Sequence, residues 1–320
     1  MQLRLVVSNQ TNPYWNVSVE NYLLSLPEKD VVTMYLWKNH RTVVIGQNQN
    51  PYSECNVELL CKEGGYVMRR TTGGGAVYHD DGNINFSFIA SPELYDQHRQ
   101  FSVLQKAVGY YGLHTELSGR NDVLCEGRKF SGNAFSKGRY QNLHHGTVLI
   151  KGNIDDLQRY LRVKPAKLQK HGVKSVQSRV VNLSELAEVS SENIVPRLIK
   201  AFEEVYQSKA QFVDFNELIL LKEVKMLYEK YSSDAWLFAR WRGFCSQYVA
   251  QFEWGGVELS LDIDAEHQLV RGASLATDCL DINLTRQVED LLVGASSVER
   301  PVAPEGASKT MIEDVLNLIY

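Results

Sequence analysis

Three short clusters in this chain combine residue types suited to binding anions or moving protons. The densest is Arg69-Arg70-Thr71-Thr72-Gly73-Gly74-Gly75-Ala76-Val77-Tyr78-His79-Asp80. Three consecutive glycines between two strand-like segments remove every Cβ, so backbone amides can approach a ligand closely. The paired arginines before them can form charge-assisted bonds to phosphate or carboxylate. A plain hairpin turn would look similar. The loop is neither a P-loop nor a dinucleotide fingerprint, because no Lys-Ser/Thr and no helix follow the glycines.

The second cluster runs from Gly119 to Ala134 and contains Asn121, Asp122, Cys125 and the stretch Gly127-Arg128-Lys129-Phe130-Ser131-Gly132-Asn133. Strand alternation predicts Lys129, Ser131 and Asn133 on one face and Phe130 on the other. A lysine on an inward face is costly unless it meets an anion. The third cluster is His144-His145-Gly146-Thr147. Taken alone, that pair reads as a satisfied core feature, and a metal site is not expected because no further His or Cys lies at ligand spacing.

The elements that must position these clusters alternate along the first half of the chain. Strands are predicted at 3–8, 31–37, 42–45, 66–69, 76–79 and 83–90, the last two joined by Asp80-Asp81-Gly82. Further strands are expected at 122–125, 128–134 and 145–150. Asn16 is expected to cap a helix through about Ser25, and Asn56 a short one ending at Gly64-Gly65. Residues 101–111 read as helix, and helical periodicity dominates from Glu192 to about Trp241. A second unit is expected from about Ser246, with a three-strand meander turned at Gly255-Gly256 and covered by helices near 284–293 and 309–319. The implied domains are 1–243 and 246–320.

Composition sets outer bounds. The chain has 320 residues, 44% hydrophobic and 22% charged, ordinary values for a globular protein. No apolar run approaches a membrane span. The first residues lack the basic and apolar regions of a secretion signal, so a cytoplasmic location is expected. The five cysteines form no C-x-x-C pair and read as free thiols. Net charge is −4, but seven basic and no acidic residues fall between Leu157 and Ser184, leaving 27 basic against 38 acidic elsewhere. So one-sided a stretch is expected to meet phosphate or an acidic partner. From Ser246 onward the chain carries 13 acidic and 4 basic residues.

Together, the blocks LWKNHRTVVIGQNQNPYSECN, RRTTGGGAVYHDDGNINFSF, GRNDV, GRKFSGNAF, HHGTVLI and KSVQSRVVNL resemble the lipoate–protein ligase A family in its long, two-domain form. FEWGGVELSLDI resembles the start of that family's C-terminal accessory domain. The resemblance implies an α+β fold: a large mixed-sheet catalytic domain of the biotin/lipoate ligase type with a small α+β C-terminal domain. It also implies a two-step reaction. Lipoate and ATP with Mg²⁺ give lipoyl-adenylate, and a lysine of an apo carrier domain then takes the lipoyl group, releasing AMP.

The family pattern assigns Arg70, the backbone of Gly75-Ala76-Val77-Tyr78, Asn121 and Asp122 to ATP and adenylate, with Asp122 also near Mg²⁺. Lys129 matches the lysine that contacts both the lipoyl carbonyl and the adenylate phosphate, and is the residue whose loss should abolish activity. Trp37, Thr72, Gly73, Gly74, His79 and His145 are assigned to the acyl pocket, Thr72 standing where the family often has serine. Lys167, Lys170, Lys174 and Ser175 match a loop that folds over the adenylate. Expected partners are lipoate, or octanoate if the pocket tolerates it, and apo lipoyl domains of 2-oxoacid dehydrogenase complexes or a glycine-cleavage H-type protein. A monomer fits the family, and neither nucleic acid nor membrane is expected. Two competing readings are an ATP-independent octanoyl/lipoyl transferase dependent on Cys125 or Lys129 and a nucleic-acid-binding protein using the basic stretch.

Overall fold

The structure, a computed structural model, describes residues 1–119, 121–162, 180–238, 246–264 and 266–320. Apolar residues alternate with polar or opposite-facing apolar ones along its main strands, and this splits the large domain into layers. Strands β1 (Gln2–Val7), β2 (Val31–Trp37), β3 (Thr42–Ile45), β4 (Tyr66–Arg69), β5 (Val77–His79) and β6 (Asn83–Ala90) open the chain. They are followed by β7 (Thr115–Ser118), β8 (Asp122–Cys125), β9 (Arg128–Lys137), β10 (Asn142–Leu149) and β11 (Ala210–Asp214). Eight of these form one mixed sheet in the order β11-β1-β2-β6-β10-β9-β8-β7, parallel only at β11-β1-β2. The other three form a small sheet, β4-β3-β5.

One face of the large sheet carries Leu3, Leu5, Met34, Leu36, Phe86 and Phe88 against the helices Gln97–Gly109 and Ser191–Tyr206. The other face carries Val6, Tyr35, Trp37 and Ile89 against the helix Pro13–Ser25. On β6 the polar residues Asn83, Asn85 and Ser87 share this second face with Ile89 by strand alternation. The small sheet packs on the same side through Val44 and Met68.

Several expectations change. Asn12, not Asn16, caps the first helix: its Oδ1 accepts the Tyr14 N–H at 2.9 Å and Pro13 fills the first helical position. Asn16 is instead buried, donating to the Lys38 carbonyl at 2.7 Å. β5 and β6, joined by Asp80-Asp81-Gly82, lie in different sheets. The long helical region breaks at Gln207, which is left-handed (φ 54°), and β11 follows before three shorter helices (Phe215–Leu218, Lys222–Ser232, Asp234–Leu237).

The C-terminal unit is the antiparallel meander β12 (Ser246–Gln251), β13 (Gly256–Asp264) and β14 (Leu269–Thr277) under helices Leu284–Leu292 and Lys309–Leu316. It has its own core, including Leu259, Leu261, Leu275, Val288 and Ile312. It docks beside the glycine loop. The Thr277 N–H donates to the Asn48 carbonyl at 2.9 Å and the Gly74 N–H to the Cys279 carbonyl at 3.3 Å. A Cβ on Gly73 would lie 2.5 Å from the Cys279 oxygen, so only glycine permits this approach.

Candidate functional site

Between the two sheets of the large domain lies a cavity of about 220 Å³. Trp37, Val44, Met68 and Val77 give it an apolar end, and Gly74, Gly75 and Ala76 contribute a backbone-rich wall. Arg70, His79, Asn85, Asn121, Lys129, Asn133, His145 and Glu20 add polar groups. All three sequence clusters therefore converge here, although they come from both sheets.

Lys129 sits at the start of β9, its Nζ 2.6 Å from Asp122 Oδ1 on β8, with its side chain 34% exposed. A bulge shapes this edge. Val123 pairs with Ser131 but Leu124 pairs with Lys129, so Phe130 is an extra residue. The expected alternation is corrected accordingly. Lys129 lies over Gly132, whose hypothetical Cβ would be 2.9 Å from Nζ, while Ser131 is buried and absent from the cavity wall. Asn121 and Asn133 brace the bulge reciprocally: Asn133 Nδ2 donates to the Asn121 carbonyl at 3.0 Å and Asn121 Nδ2 to the Asn133 carbonyl at 3.1 Å.

Arg70 is buried under the glycine loop. Its Nη2 donates to the Gly73 and Gly75 carbonyls, both at 2.8 Å, and its Nε to Thr72 Oγ1 at 3.1 Å. Here the guanidinium shapes the loop that resemblance assigns to nucleotide. Burial lowers its pKa to about 10, opposed by the Glu20 charge, so it stays a cation at neutral pH. Arg69 is also buried but points elsewhere, donating to the carbonyls of Gln47, Gln49 and Leu237.

The adjacent histidines diverge because strand neighbours face opposite sides. His144 packs among Phe86, Phe88, Phe101 and Phe135 on the core face. His145 faces the cavity, its Nε2 2.9 Å from Thr72 Oγ1 and its Nδ1 2.8 Å from Glu20 Oε1. His79 is neutral: burial first, then Arg70 and His145, push its pKa down to about 3. Asn39 Nδ2 donates to His79 Nδ1 at 3.3 Å, which leaves the proton of a neutral ring on Nε2. That Nε2 and the Nδ2 of Asn85 are buried at the cavity without a partner among the described residues. Both are placed to meet a ligand.

Other assigned residues stand further back. Thr72 is fully buried and meets the cavity through its hydrogen bonds to His145 and Arg70, and Gly73 packs against Cys279 and Leu280. Tyr78 is buried on the far side of the small sheet, against Tyr160. These two side chains and Gly73 are not part of the cavity wall. Lys167, Lys170, Lys174 and Ser175 lie outside the described residues. Cys125 is buried in the aromatic core with its pKa raised by desolvation, away from the cavity. Among the described residues no group of three His, Cys, Asp or Glu could hold a metal ion, and no helix is long and apolar enough to cross a membrane.

Glu20 escaped the sequence reading, yet it carried a signal. It occupies the apolar stripe of the first helix with Val19 and Leu23, where a carboxylate is out of place unless it is paired. Asn85 likewise interrupts a strand buried along its whole length.

Comparison with known proteins adds independent observations. Residues 12–203 match the family model for the lipoyl protein ligase A/B catalytic domain. Over 300 residues the chain is 34% identical to lipoate-protein ligase A of Psychrobacter cryohalolentis, covering 91% of this chain and 88% of the relative. The corresponding protein of Bdellovibrio bacteriovorus is 35% identical, with 91% and 86% covered. P. falciparum LipL1 in complex with lipoate superposes with a TM-score of 0.83 at 27% identity, covering 98% of both chains. A lipoate-protein ligase A bound with ATP gives 0.62 at 25% identity, covering 74% of this chain and 98% of that one. The bipartite lipoate protein ligase of Thermoplasma acidophilum, solved as a system with its E2 lipoyl domain, gives 0.64 at 26%, covering 77% and 100%.

Proposed function

Because the chain belongs to the lipoate–protein ligase A family, we propose that it is an ATP-dependent ligase joining lipoate to a lysine of apo lipoyl domains. The observation that carries the reading is the cavity itself: an apolar end at Trp37, Val44 and Met68 leads to Lys129 and the Gly74-Gly75-Ala76 wall. An acyl chain with a terminal carboxylate fits that polarity. Relatives bound to lipoate and to ATP, and one described together with its E2 lipoyl domain as a lipoylation system, support the same substrates and partner class.

A carboxylate is a poor electrophile, so the first step joins it to the α-phosphorus of ATP and expels pyrophosphate. The second lets the carrier lysine attack the acyl carbon and expels AMP. Both steps concentrate negative charge that fixed cations and amides must stabilise. Lys129, held at the wall by Asp122, is suited to this work, since an incoming carboxylate or phosphate offers the charge that Asp122 now provides. Arg70 holds the loop carbonyls so that the amides of Gly75, Ala76 and Val77 keep their places. Neutral His79 adds an N–H donor without a competing cation. The Cys279–Leu280 segment over Gly73 shields the loop from water, which would hydrolyse an adenylate.

Mg²⁺ accompanies the nucleotide in this reading. Asp122 offers it a single carboxylate, so the phosphates would supply most of its ligands. The separate core around Leu259, Val288 and Ile312, with Tyr248 and Phe252 packed against it, supports dividing the chain into 1–243 and 246–320. A cytosolic setting is supported by the free thiols Cys55, Cys61, Cys125 and Cys279. Purified protein should catalyse ATP–pyrophosphate exchange only with lipoate present, and absence of exchange would remove the ligase reading. Turnover between carriers without nucleotide would favour the transferase, for which the burial of Cys125 gives no support.

A further inference from the structure

Along the cavity wall, one chain of hydrogen bonds joins the apolar end of the site to Arg70. Trp37 Nε1 donates to Ser87 Oγ at 3.1 Å, and Ser87 Oγ donates to Glu20 Oε1 at 2.6 Å. His145 Nδ1 lies 2.8 Å from the same oxygen, its Nε2 lies 2.9 Å from Thr72 Oγ1, and Arg70 Nε reaches Thr72 Oγ1 at 3.1 Å. The strand register builds this row: Ser87 pairs with Tyr35 on one side and His145 on the other. Glu20 enters from the helix Pro13–Ser25 and is 1% exposed.

The direction of every proton follows from the ends. Indole Nε1 and guanidinium Nε can only donate. Ser87, having accepted from Trp37, gives its own hydrogen to Glu20. Thr72, having accepted from Arg70, gives its hydrogen to His145 Nε2, which must therefore be bare. The imidazole proton then sits on Nδ1 and goes to Glu20, which accepts twice as a carboxylate. In the reverse polarity Thr72 Oγ1 would receive two N–H donors, and its own hydrogen would have no acceptor among the described residues.

We propose that Glu20 is a positioning residue of the adenylation site. It fixes the Nδ1–H tautomer of His145, thereby orients the Thr72 hydroxyl, and so aligns Arg70 with the glycine-loop carbonyls. The inference rests on the ligase reading for its consequence in turnover, but the tautomer it requires does not. The shared hydroxyl also explains why threonine serves where serine would: Oγ1 is the only atom the relay uses.

The test combines nitrogen-15 NMR of the histidine rings with lipoate-dependent pyrophosphate release. In the wild-type protein His145 should carry its one ring proton on Nδ1; Glu20→Gln, whose oxygen can still accept from both Ser87 and Nδ1, should keep that tautomer, whereas Glu20→Leu, which removes the acceptor, should lose it. Glu20→Leu and Thr72→Val should each lower kcat by about 10–100-fold, the range seen when a metal-bound histidine loses the group that orients it, and Glu20→Gln should lower it less. Thr72→Ser should stay within about threefold, and the double variant should be no worse than the weaker single one. An Nε2-protonated or doubly protonated His145 in the wild type would overturn the relay without any variant having to fold. Multiplying losses in the double variant would overturn it too. If the wild type releases no pyrophosphate, the ligase reading fails, and the ring tautomer still decides the relay.

Discussion

The two faces of the eight-stranded sheet use the same residue types for opposite ends, and the neighbouring histidines show how. His144 is enclosed by four phenylalanines, and burial holds its pKa down to about 3. Its Nε2 donates to Asn133 Oδ1, at 2.9 Å. A neutral ring then needs a donor at Nδ1. The Gln100 amide, 3.0 Å away with its Nε2 otherwise unpartnered, supplies it when its two ends are exchanged, leaving its oxygen for the Tyr206 hydroxyl. This face is closed and self-sufficient. On the other face His145 is linked outward to Glu20 and Thr72, while His79 and Asn85 keep unpartnered polar atoms at the cavity. A satisfied histidine belongs to the core, and an incompletely satisfied face marks the place for a ligand.

The broadest test of this contrast is acid. His144 and His79 both have folded-state pKa values near 3, below the ordinary 6.5. The unfolded chain therefore binds protons that the native protein refuses. Their contribution is intact above about pH 6.5 and is lost as pH falls from there towards 3, at about 1.4 kcal/mol per pH unit for each ring. Urea midpoints measured between pH 8 and 4 should be flat and then fall steeply. A curve that stays flat to pH 4 would mean that neither ring is held neutral by the fold.

Substitutions then separate the faces. Phe88→Ala should cost about 4 kcal/mol in denaturant unfolding, because a fully buried ring between His144 and Phe202 leaves a void. At temperatures where the variant stays folded, its pyrophosphate exchange should remain. Lys129→Ala should do the reverse: exchange falls by about 10²–10³-fold, as when a fixed charge-stabilising donor is removed, while the melting temperature hardly moves because the side chain is one-third exposed. Wild-type exchange in the Lys129 variant would refute its role.

What could be read from the sequence follows the same division. Strands 31–37, 42–45, 66–69 and 83–90 stand where alternation and β-branching put them. The three clusters were visible because glycine, arginine and lysine are unusual in those settings. Asn12 was overlooked because Asn16 starts an apolar period, whereas Pro13 decides the helix start. Strand β11 was hidden because it is a solvated edge strand, with Phe212 63% exposed, and so lacks the expected alternation. The Phe130 bulge depends on the register between neighbouring strands β8 and β9, and the split of β5 from β6 on partners far away in sequence; local periodicity registers neither. Glu20 lies 125 residues from the histidine it holds.

The smallest expected effect tests the boundary between the faces at Cys125. Its thiol is buried on the aromatic side of the sheet beside residues such as Val123 and Phe130, and desolvation raises its pKa, the opposite of what a nucleophile needs. Cys125→Ser should therefore act only on packing. It exchanges a weakly polar sulfur for a hydroxyl in apolar surroundings, costing about 1–2 kcal/mol of stability. Lipoate-dependent exchange per folded molecule should be unchanged. Loss of exchange with stability intact would show that the chemistry reaches through the sheet to its core face, and the division between a closed face and an open one would no longer hold.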